Sequence, residues 1–182
     1  MFFMSCIMTH SKKMFDPLHP DVSLIDIEDI AHALSMLCRA NGHFRSFYSV
    51  GQHCINCMRE AESRGFSRRV QLACLLHDAS EAYLSDVTRP VKQELPQYKL
   101  IEEPLQNVIW QKWLGSPLTQ EEDRRVFAID DDILENEFPA LMGEKLKETV
   151  PTLRSAPRFD FRDFALVEQE YLALFRQLTE GC

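Results

Sequence analysis

No stretch of this chain approaches the roughly 20 consecutive apolar residues that a membrane-spanning helix requires. The apolar start, Met1-Phe-Phe-Met-Ser-Cys-Ile-Met8, is short, has no cationic residue before it and runs straight into polar sequence. It reads as neither a membrane anchor nor a secretory signal, and residues 1–20 are expected to be an N-terminal tail. An excess of basic charge is missing too. Twenty Lys and Arg stand against 28 Asp and Glu, a formal net charge of −8, which argues against a surface that gathers long nucleic acid by counterion release. The six cysteines are scattered rather than set in a closely spaced framework, so free thiols in a reducing cytoplasm fit better than disulfides. Cys54-Ile-Asn-Cys57 has the C-x-x-C spacing of redox and zinc sites, but no second such pair accompanies it. Internal repeats, low-complexity segments and clear strand signals are also lacking.

What is present is 182 residues, 45% of them hydrophobic, enough for a single domain over 21–182 with a sizeable core. The periodicity is helical. Ile27, Ile30, Ala31, Leu34 and Leu37 recur at helical spacing after Asp26 and stop at Asn41-Gly42. Ser49-Val-Gly-Gln52 has the form of a capping box and opens a helix with Val50, His53, Cys54, Cys57, Met58 and Ala61 inward, ending near Gly65. Ser67 can cap a third helix that carries His77 and Asp78 and ends near Leu84. Residues 85–96 are polar and bear prolines, and they read as a loop at the mouth of a site.

Tyr98, Ile101, Leu105, Val108, Ile109 and Trp113 mark a fourth helix, which Pro104 should kink or begin. Thr119-Gln-Glu-Glu122 is a second capping box, opening a fifth helix with Val126, Ile129, Ile133 and Leu134 inward. An irregular connection over roughly 143–160 precedes a last helix with Phe164, Val167, Tyr171, Leu174, Phe175 and Leu178. Exposed apolar residues on this helix suit a homo-oligomer.

His77-Asp78-Ala-Ser-Glu81 ends an apolar run, so an imidazole and two carboxylates enter what should be core. On a continuous helix the three share one side, and such groups are rarely buried unless paired or bound to metal. His53 lies on the inward side of the second helix. Asp130 has Val126, Ile133 and Glu137 at i−4, i+3 and i+7, which places it on the packed side of the fifth. Taken singly, an inward histidine is more often a hydrogen-bonded core group, and Asp130-Asp131-Asp132 could be a solvated acidic turn. Together, at inward phases of three helices, they form a mixed nitrogen and oxygen set suited to Mn, Fe, Co, Ni or Zn. Without thiolate such a set points to a catalytic rather than a structural ion.

In order and spacing, these segments resemble the HD-domain phosphohydrolases, and within them the small bacterial and phage enzymes similar to 5′-deoxynucleotidases and deoxynucleoside triphosphate hydrolases. The stretches that carry the resemblance are Ile27-Glu-Asp-Ile-Ala-His-Ala-Leu34, Gly42-His-Phe-Arg-Ser-Phe-Tyr-Ser-Val-Gly-Gln-His53, Leu76-His-Asp-Ala-Ser-Glu-Ala-Tyr-Leu-Ser-Asp86 with Arg89-Pro-Val-Lys92, and Val126-Phe-Ala-Ile-Asp130 followed by Glu137. Pro139 falls where that family continues a helix.

The resemblance implies an all-α, HD-domain-like bundle of six or more helices around a divalent ion (Mn, Co, Fe, Ni, Zn or Mg). His53, His77, Asp78 and Asp130 would be its ligands, with Glu81 as acid or base and Asp86 closing the site. Such an ion lowers the pKa of coordinated water towards about 7, so no serine or cysteine nucleophile is needed. Fixed cations must meet the phosphate. Arg39 and Arg45 come first, because guanidinium binds phosphate oxygens bidentately, followed by Arg89 and Lys92. His43 is a candidate for substrate contact, whereas His32 reads as a core histidine. The expected activity is release of phosphate from a deoxynucleoside 5′-monophosphate. The alternatives are a deoxynucleoside triphosphate hydrolase, a hydrolase of another phosphate ester, and a ligand-binding protein without turnover.

Overall fold

The computed structural model describes residues 6–180, and it is all-α apart from a small ribbon near the start. The helices are α1 (Ile27–Met36), α2 (Val50–Ser63), α3 (Arg68–Leu76), α4 (Glu81–Leu84), α5 (Arg89–Gln93), α6 (Pro96–Leu114), α7 (Gln120–Leu141) and α8 (Phe164–Thr179). Among the described residues no helix is long and apolar enough to cross a membrane.

The bundle is organised around α2. Every residue from Val50 to Met58 is buried, as are Glu60 and Ala61, and a helix buried on all sides belongs at the centre. It packs against α1, α3, α7 and α8. Gly51 permits a close approach to α1: a Cβ there would lie 3.1 Å from the backbone of Leu34 and Ser35. Ser49 caps α2 by accepting from the Gln52 N–H. The reciprocal half of the expected box is absent, because the Gln52 amide donates instead to the carbonyls of Arg158 and Asp160. Thr119 and Glu122 form the full box at the start of α7.

Several sequence expectations need correcting. Within the expected N-terminal tail, β1 (Ile7–Met8) pairs antiparallel with β2 (Met14–Phe15). Phe15 is fully buried against Tyr83, and Ser11 donates through its N–H and hydroxyl to Asp29 of α1. Residues 1–5 of that tail lie outside the described residues. The third helix is not continuous to Leu84. It stops at Leu76, and 77–80 form tight turns with i→i+3 bonds from Ala79 to Leu76 and from Glu81 to Asp78 before α4 begins.

The loop expected over 85–96 contains α5, with Pro90 in its first turn, where a missing N–H costs nothing. Pro104 lies inside α6, which starts at Pro96. The carbonyl that Pro104 leaves unserved belongs to Leu100, on the exposed side, where water can satisfy it. Pro139 sits two residues before the end of α7 and disturbs only its last turn.

The connection from 143 to 163 has no helix or strand, yet it is pinned to α2. Fully buried Glu60 accepts from the N–H of Arg154, from the N–H and hydroxyl of Ser155, and from Arg64. Burial alone would raise this carboxyl, but the Ser155 and Arg154 donors and Arg64 outweigh it and hold it at about 2, against an ordinary 4.5. A carboxyl depressed by folding contributes stability above its unfolded pKa and loses it as the pH falls through the folded one. Glu60 should therefore contribute on the order of 3 kcal/mol at neutral pH, lost between about pH 5 and pH 2. Urea denaturation across that range should show a flatter acid limb for Glu60→Gln than for the wild type, and parallel limbs would contradict the assignment.

Candidate metal centre and its cavity

His53 reaches the centre from α2, His77 and Asp78 from the turn after α3, and Asp130 from α7. His53 is fully buried, and its Nδ1 lies 2.6 Å from Glu137 Oε1. His77 Nδ1 lies 2.8 Å from the carbonyl oxygen of Cys74. A carbonyl only accepts, so His77 Nδ1 carries a proton. The Glu137 carboxylate imposes the same tautomer on His53. Each ring therefore turns Nε2 towards the other, at 3.2 Å. Two facing lone pairs at that separation repel unless a cation or proton lies between them.

Carboxylate oxygens complete the cluster. Asp130 Oδ1 is 3.0 Å from His53 Nε2 and 3.8 Å from His77 Nε2. Asp78 Oδ2 is 3.3 Å from His77 Nε2 and 3.9 Å from His53 Nε2. Nitrogen and oxygen ligands held at about 2.0–2.2 Å around one ion stand roughly 3–3.6 Å apart, and three of these five separations fall in that range.

Two thiols also come within reach, which reading the set as thiolate-free did not anticipate. His53, Cys57 and His77 offer ligand atoms within 4.8 Å of one another, as do Cys54, His77 and Asp78. Helical spacing held the signal, because Cys57 is one turn beyond His53. Both thiols are buried. Burial pushes the Cys54 thiol up to about 11 and holds the Cys57 thiol well above its usual range. The aspartates, by contrast, open onto a cavity of about 400 Å³.

The tight turns after α3 explain which groups face that cavity. In a path with i→i+3 bonds, side chains three apart eclipse while those four apart diverge. Asp78 and Glu81 accordingly both line the cavity, and His77 lies deeper. Glu81 is 5% exposed. Its Oε1 accepts from Lys92 at 3.3 Å, and among the described residues Oε2 has no partner. Burial, then the nearby Asp78 and Asp86, raise its carboxyl well above the usual range despite Lys92. For Asp130 burial acts in the same direction, but His53 and His77 hold it well below the usual range. Asp86 lines the cavity and accepts the Ala40 N–H at 3.2 Å. That contact secures a turn in which Ala40, Asn41 and Gly42 all have positive φ.

The expected phosphate contacts divide. Arg39, Arg89 and Lys92 line the cavity. Arg39 places Nε 2.9 Å from Glu137, with its terminal nitrogens 3.6 Å from Asp78 and 3.5 Å from Asp130. Arg89 bridges Asp130 and Asp131 and lies over Phe127. Arg45 does not reach the cavity. Its guanidinium lies over Gly143, where a Cβ would come within 2.8 Å, and its N–H donates to Leu141, so it fastens the turn after α7. His43 is exposed and outside the cavity. His32 pairs with Glu168 at 3.0 Å and stacks on His10.

In sequence Glu137 serves as a marker of helical phase and as part of a resembling stretch, with no role of its own. In the structure this fully buried carboxylate holds both His53 and Arg39. Burial pushes it up, but Arg39 and His53 more than offset this and hold it at about 2.

The fold and site define an all-α protein with a His/Cys/Asp cluster that could hold a metal ion at the base of a cavity. No family model matches the chain. It is 35% identical over 167 residues to uncharacterized protein YfdR of Escherichia coli, a match covering 85% of this chain and 88% of that protein, and it belongs to that family. An uncharacterized protein of Rhodobacter capsulatus is 41% identical over 87 residues, 45% of this chain and 44% of that protein.

Proposed function

We propose that this protein is an HD-type, divalent-metal-dependent phosphohydrolase that releases phosphate from small nucleotides, deoxynucleoside 5′-monophosphates first among them. One observation carries this reading. Four ligand atoms of His53, His77, Asp78 and Asp130 converge at 3.0–3.9 Å beneath a cavity that also holds Glu81, with an unpartnered buried oxygen, and three cationic side chains. Phe44, Leu134, Phe138 and Leu146 add apolar lining and offer a surface for a base and sugar.

A divalent ion held by the four ligands would supply Lewis acidity and an acidified water. Arg39, Arg89 and Lys92 bind and orient the phosphate, neutralising its charge in a partly desolvated cavity. Glu81 lines the same cavity, and its buried Oε2 has no competing hydrogen bond among the described residues. Glu81 gives a proton to the leaving alkoxide as the ester P–O bond breaks and a water oxygen bonds to phosphorus, and the proton shed by that water restores the Glu81 carboxyl. A pure binding protein has no need of such a group beside the ligands.

Metal-free protein should be incubated with a panel of nucleoside mono- and triphosphates and other phosphate esters, each with several divalent ions, and the products weighed by mass spectrometry. Nucleoside and orthophosphate from monophosphates, only with an ion present, is the expected result. Release of intact triphosphate would move the assignment to a triphosphate hydrolase, and no turnover with any ion would overturn it. Verified metal removal should also lower the melting temperature, because the ligands tie three parts of the bundle together.

A further inference from the structure

A second cavity, of about 390 Å³, lies between α2, the 154–162 stretch and α8, and its charge is opposite to that of the chain as a whole. Arg59, Arg154, Arg158 and Arg162 line it against the single carboxylate of Glu170, whereas the chain carries a net −8. On a helix turning about 100° per residue, its α2 residues Asn56, Arg59 and Ile55 sit about 60°, 120° and 160° round from His53, and it shares no lining residue with the first cavity, so it is separate from the metal centre. Glu170 pairs with both Arg162, at 2.6 Å, and Arg59, at 3.5 Å, and Arg59 also pairs with Glu62, outside the lining, at 3.3 Å. Arg158 pairs with Asp160 at the surface. Among the described residues the Arg154 guanidinium has no ion-pair partner.

The frame beneath these arginines is fixed. Glu60 holds the backbone of Arg154 and Ser155. Asn56 is buried, donates to the Arg158 carbonyl and accepts the Arg158 N–H. Within the lining four guanidiniums on a held backbone face one carboxylate, and even with Glu62 and Asp160 outside it the arginines stay in excess, which favours an anion of more than one charge. Guanidinium groups match phosphate oxygens in pairs. A monocarboxylate would neutralise only one of them, and a cavity of about 390 Å³ on an acidic protein does not suit a long polyanion.

We propose that this cavity is a binding site for an oligophosphate anion, either a free phosphate chain or the phosphate tail of a nucleotide, distinct from the metal centre. The test is calorimetric titration of the full chain, with chelator present and ionic strength held constant, using inorganic tripolyphosphate and a nucleoside triphosphate as probes. Arg154→Gln/Arg158→Gln should weaken tripolyphosphate binding at least 10-fold. Arg89→Gln, in the other cavity, should leave it within about 2-fold, since each tenfold step corresponds to about 1.4 kcal/mol. Glu170→Gln removes the competing carboxylate and should tighten binding, a gain that a folding defect cannot mimic. Equal affinity for the two probes would assign recognition to the phosphate chain alone, and tighter triphosphate binding would add the nucleoside. Unchanged affinity in the double variant and in Glu170→Gln, or a loss confined to Arg89→Gln, would overturn the proposal.

Discussion

Glu81→Gln is expected to cut turnover of a phosphate ester by about 100-fold or more while leaving bound metal and fold near wild type, the size of effect that follows loss of a positioned general acid or base. The amide is nearly isosteric, and its carbonyl oxygen can still accept from Lys92, which Oε1 does now at 3.3 Å. What it lacks is a transferable proton at Oε2, the buried oxygen without a partner. Metal content and turnover measured on one preparation separate the roles. Loss of metal would make Glu81 a ligand, and full activity would make it a bystander.

Glu137→Ala should be more damaging to the protein itself. It strands His53 and Arg39, both of which this fully buried carboxylate holds, and removing one partner of a buried pair typically costs about 3–5 kcal/mol. Metal affinity should also fall about 10- to 100-fold, the usual effect of removing the group that orients a histidine ligand. Asp131→Ala, which breaks only the pair with half-exposed Arg89, should cost less than about 1 kcal/mol. Denaturation and metal titration of both variants check this. Comparable losses in the two would mean that the register of α7 around Asp130 carries no special weight.

The helical content was legible because apolar spacing alone specifies which faces are buried, and Asp26, Ser49, Ser67, Thr119 and Asp163 all cap the helices that follow them. The inward phases of His53 and Asp130 could be read in the same way. Other features depend on groups distant in sequence. Gln52 has the spacing for a capping box, yet carbonyls more than 100 residues away take its amide. The break after Leu76 leaves no proline or glycine to announce it. Arg45 and Arg39 look equally suited to phosphate in sequence, and only the left-handed turn at Ala40 to Gly42 sends one into the cavity and leaves the other over Gly143.

The two fixed points on α2 constrain its length more than its composition. Gly51 abuts the backbone of α1, and Glu60 is clamped to Arg154 and Ser155, with His53 between them. Inserting or deleting one residue within that interval would rotate everything beyond it by about 100°, forcing either the imidazole away from Asp130 or the carboxylate away from its clamp. Natural length variation in this family is therefore expected in the connections between helices, while the nine-step interval from Gly51 to Glu60 keeps its count even where its side chains change.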